Sequence, residues 1–232
     1  MLHIKDVILQ NGSFLLSLDL PPLGTGIYAM IGPSGGGKST ALAAIAGFQP
    51  LSAGQILWQG RDISKVLPAN RPVVILFQDN NLFPHLSIER NVALALRHGN
   101  SLTQDEKNKV SEALARVGLK AHSAKKPAEL SGGQQSRAAL ARILLQDKPI
   151  LLLDKPFSAL GPALRRDMLG LVAEIALESK TTVIMVTHTV SDARLIAEET
   201  FFIDNGKVEL PVRTNELLEN PTPALKQYLG ND

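Results

Sequence analysis

Apolar positions along the chain follow two rhythms, separated by Gly, Pro and Asn. Residues 2–9 and 14–20 alternate or cluster apolar side chains, and Asn11-Gly12 between them is a hairpin signal. Pro21 to Gly26 reads as a turn, and Ile27-Tyr28-Ala29-Met30-Ile31 is then a short apolar run of the buried-strand type. Residues 40–46 are Ala/Leu-rich and open a helix, and Pro50 and Gly54 punctuate the stretch after it. Residues 55–63 read as a strand and turn, and Val73 to Phe77 as another buried strand ending at Gln78. Helical periodicity then takes over at 87–98, 104–117 and 133–146, interrupted by Gly118, Pro127 and Gly132-Gly133. Strand pattern returns at 150–153 and 182–186 with a helix predicted over 162–178 between them, a β-α-β unit. A final strand pair, 200–204 and 207–210, turns through Asn205-Gly206.

The first apolar run leads into Gly32-Pro33-Ser34-Gly35-Gly36-Gly37-Lys38-Ser39-Thr40, which fits G-x-x-x-x-G-K-[ST], the phosphate-binding P-loop. Its glycines let the backbone curl so that several N–H groups face one concavity at the positive end of the following helix. Lys38 can reach the β- and γ-phosphates of a nucleotide, and the Ser39 hydroxyl can sit on Mg²⁺. A Gly-rich turn that binds nothing is the alternative, and the flanking strand, the spacing, Lys38 and Ser39 together argue against it. The prediction is an α/β fold with a P-loop NTPase parallel-sheet core, an N-terminal antiparallel β portion and an inserted helical subdomain. One domain spans 1–232, with the core at about 1–78 and 148–232 and the helical insertion at about 79–147.

Composition adds limits. A chain of 232 residues, 44% of them hydrophobic, can bury a real core. A net charge of +2, from 24 basic and 22 acidic residues, favours neither nucleic acid nor a polybasic membrane surface. Cysteine is absent, which excludes a disulfide framework and is compatible with a reducing cytoplasm. The N-terminus has no basic region followed by a long apolar stretch, and no run approaches the ~20 apolar residues of a membrane span. If the protein works at a membrane, another chain supplies the spans.

A P-loop needs a distant carboxylate on a strand end to complete Mg²⁺ ligation, and Asp154, directly after the apolar run 150–153, is placed for it. A turn residue or helix cap is the plainer reading of that Asp. At Leu130-Ser131-Gly132-Gly133-Gln134 the chain resembles the signature motif of ATP-binding cassette (ABC) proteins. Other marks of that family follow in its order: Gln78 as Q-loop glutamine, Ser158-Ala159-Leu160 as D-loop, His188 as switch histidine. Taken singly, Gln78 is an ordinary strand end, His188 a satisfied histidine and LSGGQ a helix start. The resemblance lies in their ordered combination over essentially the whole chain.

The resemblance implies an ATPase that uses ATP and Mg²⁺. Gly32 to Thr40 would hold the phosphates, Ser39, Gln78 and Asp154 would organise metal and water, and His188 would meet the γ-phosphate. Ser131, Gly132, Gly133 and Gln134, at a predicted helix N-terminus, would cap the nucleotide of a second ATP-binding subunit in a head-to-tail dimer. Transmembrane permease subunits would be the partners, with a periplasmic solute-binding protein acting indirectly. Such a subunit sits at the cytoplasmic face of the bacterial inner membrane. The coupling segment would be Asn80 to Ser87, where exposed Leu82, Phe83 and Leu86 suit either a docking groove or subdomain packing.

Within the family, the run Leu76 to Leu86 is similar to the ATPase subunit of bacterial thiamine importers. So are Pro156-Phe157-Ser158-Ala159-Leu160 with Pro162-Ala163-Leu164-Arg165, and Thr214-Asn215-Glu216-Leu217-Leu218. Substrate choice belongs to the other subunits, so this rests on analogy. A soluble ABC protein of the DNA-repair type is not favoured, since no long coiled-coil insertion is evident.

Three positions depart from the family pattern. Lys155 stands where the family has the glutamate that polarises the attacking water, and an ammonium has no lone pair to accept a proton. Gly161 replaces the D-loop aspartate. The aromatic residue that stacks adenine has no clear counterpart, Phe14 being the only aromatic nearby. Three readings of Lys155 and Gly161 stand. The subunit binds ATP and hydrolyses it slowly or not at all; or it forms the degenerate half of a heterodimer; or the two residues are variants or engineered changes, each one nucleotide from the family residue.

Overall fold

The computed structural model describes residues 1–96, 102–158 and 160–230. Residues 97–98 of the predicted helix and Ala159 of the D-loop segment lie outside these.

An antiparallel portion opens the chain. It comprises β1 (Leu2–Asn11), β2 (Phe14–Leu23), β4 (Ala53–Trp58) and β5 (Arg61–Asp62), in the order β5-β4-β1-β2. A Gly12-Ser13 loop closes the first hairpin, pairing Asn11 with Phe14. Gln59 and Gly60, both at positive φ (49° and 79°), close the hairpin of β4 and β5, the geometry a two-residue hairpin needs. Leu2, Ile4, Val7 and Leu9 of β1 and Leu16, Leu18 and Leu20 of β2 point to one face. There they pack with Ala41, Leu42 and Ile45 of α1 (Lys38–Ala46).

The parallel portion comprises β3 (Gly26–Ile31), β6 (Val73–Leu76), β7 (Ile150–Asp154), β8 (Thr182–Val186) and β9 (Glu199–Asp204), in the order β9-β3-β8-β7-β6. Its strands are mostly apolar because both faces are covered, with polar residues such as Glu199 and Asp204 at the ends of β9. Ile150, Leu152, Ile184 and Val186 face the core shared with α1. Their neighbours Leu151, Leu153, Val183 and Met185 face Met168, Leu169, Val172 and Ile175 of α5 (Pro162–Glu178). Strand β10 (Lys207–Val208) pairs with β9 and with β2, joining the two portions into one sheet.

Helices α2 (Ile88–Ala93), α3 (Gln104–Arg116) and α4 (Gly132–Leu144) surround a separate apolar cluster that includes Ile88, Val92, Val110, Leu114 and Ala138. Both α3 and α4 begin with reciprocal capping boxes, Thr103 with Glu106 and Ser131 with Gln134. Leu82, Leu144 and Leu171 pack against both this cluster and the sheet core, bridging them.

Several expectations change. The predicted turn at Pro21-Pro22 is strand. The β1–β2 register shifts between Leu2 and Ile4, so the prolines sit at an irregularity where missing donors are tolerated. Helix α2 stops at Ala93, because Ala95 and Leu96 donate to Val92 and Ala93, three residues back, and tighten the chain out of the helix. Strand β10 ends at Val208 rather than 210. Helices α6 (Val190–Ile196), α7 (Thr214–Glu219) and α8 (Pro223–Leu229), with β11 (Val212–Arg213), were not anticipated. The helices span about two turns or fewer, too short a run for an apolar periodicity to stand out. No helix among the described residues is long and apolar enough to cross a membrane.

Candidate nucleotide site

The chemistry foreseen from the core sequence collects at one end of the parallel sheet, outside the carboxyl ends of adjacent strands. The P-loop follows β3, Thr187 and His188 follow β8, Asp154 closes β7, and Gln78 lies just beyond β6. This is where open α/β sheets bind their ligands.

The P-loop is shaped by its surroundings. Gly32 has φ +146°, and a Cβ there would stand 2.0 Å from the Ile203 carbonyl oxygen, so no other residue fits. Gly37 precedes α1 in the left-handed conformation, with the half-buried Phe14 ring and Leu16 beneath it. Ser34, Gly35 and Ser39 are exposed, whereas Gly36, Gly37 and Lys38 are buried; Pro33 and Thr40 are intermediate. Lys38 Nζ donates to the carbonyl oxygens of Gly32 (2.6 Å) and Pro33 (2.7 Å) and so occupies the hollow that the loop encloses. Burial and the charge of Lys155 pull its pKa down to about 8, against the opposing pull of Asp154. A phosphate arriving there would restore the charged form.

Asp154 Oδ1 is buried and has no hydrogen-bond partner. A buried, unpaired carboxylate oxygen is costly unless a cation or donor completes it, which suits a metal ligand. The described residues hold no cluster of three or more His, Cys, Asp or Glu that could bind a metal alone. Any ion would share its coordination with phosphate and water, the usual arrangement for Mg²⁺.

Lys155 follows in the left-handed region (φ +50°), and its N–H donates to the Val186 carbonyl at 3.0 Å. That bond ties the end of β7 to β8, whose continuation carries exposed His188. Burial, then the charges of Lys155 and Lys38, lower the His188 pKa, while Asp154 raises it. Lys38, Asp154, Lys155 and His188 therefore share one electrostatic field. Exposed Gln78 stands at the rim of the same sheet end.

The signature residues stand apart on the helical segment. Ser131 caps α4, accepting from the Gln134 amide at 3.3 Å, and its own amide donates to Gln134 Oε1 at 3.0 Å. Ser131 and Gly132 are exposed, and Gln134 Nε2 lies 3.3 Å from His122 Nε2. Gly133 packs under α5: a Cβ would lie 2.1 Å from Leu164 Cδ2, so a side chain there would require that leucine tip to move. Gly161 is the N-cap of α5, with no side-chain bond and open space around it.

Three arginines that sequence reasoning missed hold these loops through backbone carbonyls. Arg165 donates to Phe157, Ser158 and Leu160 oxygens and to Thr189 Oγ1 (3.1 Å), joining the D-loop to the turn that carries His188. Arg142 of α4 donates to Asn80 (2.9 Å) and Asn81 (2.7 Å), both at positive φ, so the segment after Gln78 is fastened to the signature helix. Arg71, 2% exposed, donates to Ala44 and Ile45 at the end of α1 and to Ser64 and Val66. Of the expected docking side chains, Phe83 is exposed, but Leu82 packs inward and Leu86 is intermediate.

A P-loop beneath a parallel sheet edge, a strand-end carboxylate beside it and a capped glycine motif on a separate helical segment define a nucleotide-binding cassette of the ABC ATPase class. The chain belongs to the ABC transporter family, which it matches over residues 16–158. It is 53% identical over 230 residues to thiamine import ATP-binding protein ThiQ of Ruegeria sp. (strain TM1040), covering 99% of this chain and 100% of that one. It is 48% identical over 222 residues to the protein of the same name from Photobacterium profundum, covering 95% and 92%. A solved dimeric ATP-binding cassette in a post-hydrolysis state, bound to ADP and Pi, matches with TM-score 0.80 and 27% identity over 92% of this chain and 99% of that one. A nucleotide-free cassette from an ABC transporter matches with TM-score 0.87 over 100% and 99% of the two chains, and at 21% identity it speaks for the fold alone.

Proposed function

We propose that this chain is the ATP-binding subunit of a thiamine importer, closing as a head-to-tail dimer on ATP, with Lys155 leaving it slow or inert in hydrolysis. The near full-length identity to thiamine import ATP-binding proteins carries the transport half of this reading. Gly32 to Thr40 would hold the triphosphate, with Lys38 moving from its carbonyl partners to the β- and γ-phosphates. Asp154, Ser39 and Gln78 would hold Mg²⁺, which supplies charge neutralisation and orientation when bound. His188 would donate to the γ-phosphate, and Ser131 to Gln134 would cap the partner subunit's nucleotide. Lys155 cannot accept a proton from water while charged. A general base is worth ~10²–10⁴ in rate, so positioning alone would leave slow residual turnover.

Permease subunits would dock near the exposed Phe83 and Phe48 (46% and 57% exposed), placing the chain at the cytoplasmic face of the inner membrane. Lys155 and Gly161 also favour a second reading, a non-hydrolysing ATP-gated subunit or the degenerate half of a heterodimer. Labelled-thiamine uptake tests the proposal in a bacterium lacking its own import ATP-binding subunit. The Lys155→Glu chain should copurify with the permease and restore uptake, and the unaltered chain should copurify but transport poorly. If neither chain associates with the permease, the importer reading is wrong.

A further inference from the structure

We propose that His122 is a positioning residue of the signature motif: its ring accepts from the Gln134 amide and so holds Ser131 ready for a phosphate. The role rests on Ser131 to Gln134 capping a second subunit's nucleotide, and it adds a residue from outside the motif. Gln134 is engaged at both ends of its side chain. Oε1 accepts from the Ser131 N–H at 3.0 Å, and Nε2 lies 3.3 Å from His122 Nε2. The Ser131 N–H can only donate, so the carbonyl end of the amide must face it and the NH₂ end must face His122. Reversing the amide would set two donors against each other at Ser131. An amide NH₂ is a donor alone, so His122 Nε2 is the acceptor and the ring carries its proton on Nδ1. That Nδ1 is buried and has no partner among the described residues. The Gln134 contact therefore imposes the tautomer, since no bond on the other side of the ring selects it.

His122 closes a single 3₁₀ turn, Lys120–His122, whose backbone is well anchored. Its N–H donates to the carbonyl of Leu119 at 2.8 Å, and Leu119 is buried in the apolar cluster among α2, α3 and α4. From the start of α2, the Ile88 and Glu89 N–H groups donate to the Lys125 and Ser123 carbonyls at 2.7 and 2.9 Å. Gln135 Nε2 donates to the Pro127 and Leu130 carbonyls at 3.0 and 3.3 Å, fixing the approach to Ser131. The ring thus stands on a fixed base beside the side chain it holds. The consequence falls on Ser131. Its Oγ accepts from the Gln134 N–H at 3.3 Å, which leaves the hydroxyl hydrogen for a phosphate oxygen. The reciprocal bond to Gln134 Oε1 keeps the Ser131 backbone extended (φ −64°, ψ 158°) where exposed Ser131 and Gly132 begin α4. Without the imidazole acceptor the Gln134 amide can swing away, and the cap loosens where the first helix N–H groups would meet an anion.

Nitrogen-15 NMR reads the tautomer, and light scattering with ATP reads dimer formation, for the unaltered chain, His122→Leu, His122→Gln and Gln134→Met. At about pH 8, above the ordinary imidazole range, His122 of the unaltered chain should be in the Nδ1–H form and should shift toward Nε2–H in Gln134→Met. His122→Leu should keep its single-subunit ATP affinity within a few fold. Its ATP-driven dimer should weaken about tenfold, since both signature motifs of the dimer lose a neutral hydrogen bond. His122→Gln offers an acceptor oxygen at similar reach and should recover most of that loss, which a purely structural role for the ring would not allow. An Nε2–H ring in the unaltered chain, an Nδ1–H ring that persists in Gln134→Met, or a His122→Leu dimer as stable as the unaltered one would overturn the proposal. The tautomer measurement on the unaltered chain depends on no variant. An Nδ1–H ring in a chain that never dimerises on ATP would instead overturn the head-to-tail reading, with Gln134 still held by His122.

Discussion

An ammonium and a carboxylate of similar reach do opposite things to a water molecule beside a γ-phosphate. The carboxylate accepts its proton; the ammonium has only donors and attracts the phosphate instead. Arg165 matters at the same scale, since one guanidinium bonds the Phe157 carbonyl, two D-loop carbonyls and the Thr189 hydroxyl. Replacing it with Met should leave ATP affinity of the single subunit within a few fold. It should weaken ATP-driven dimer formation by about tenfold, the scale of one charge-assisted hydrogen bond, read by analytical ultracentrifugation. If the dimer is unaffected, Arg165 does not position the D-loop.

Arg71 acts on elements rather than on the site. It caps the last carbonyls of α1 and ties them to the segment after β5, while Lys148 Nζ donates to the Arg71 carbonyl at 3.0 Å. Arg71→Met should cost about 3 kcal/mol, because buried carbonyls lose a charged donor. For a chain of this size that lowers the melting temperature by roughly 6–12 °C, measured by thermal denaturation. Gly161 at the start of α5 has open space for a side chain, and Gly161→Asp supplies the missing cap. Asp gains only a few tenths of a kcal/mol over Gly at an N-cap, so the melting temperature should rise by about 1 °C. Any larger effect must come from contacts with a second subunit.

Which elements were legible depends on length and period. Strands β3, β7 and β8 are continuous apolar runs, and α3 and α5 carry full helical periods, so both kinds showed in the sequence. Helices α6, α7 and α8, at seven, six and seven residues, repeat the period too few times for it to stand out. Pro21 and Pro22 read as a turn because the sequence does not show the register shift that lets a strand absorb them. At the site, Lys38, Asp154 and His188 were legible as side chains within patterned segments. Arg142 was not, since its partners are carbonyls 61 and 62 residues earlier, and a carbonyl leaves no mark on residue type.

As a whole molecule the chain carries, on different segments, the two motifs proposed to bind phosphate. One is the P-loop on the sheet, the other the Ser131-capped helix among α2 to α4. On the proposed reading, a single copy with a nucleotide on its P-loop would leave the second edge unused, and two copies arranged head to tail would use both. ATP should therefore convert the subunit to a dimer, and Ser131→Arg should block dimerisation while leaving ATP binding of the monomer within a few fold. Light scattering alongside nucleotide titration checks both. Dimers that form equally well without nucleotide would show that some other surface holds the copies together.

Phosphate release from Mg-ATP by the purified chain, beside Lys155→Glu and Lys38→Ala, bears most directly on the claim that position 155 separates binding from hydrolysis. The unaltered chain should release phosphate at or barely above the Lys38→Ala rate, while Lys155→Glu turns over at least about a hundredfold faster. Rapid turnover by the unaltered chain, equal to that of Lys155→Glu, would mean that another group activates the water, and would contradict the account.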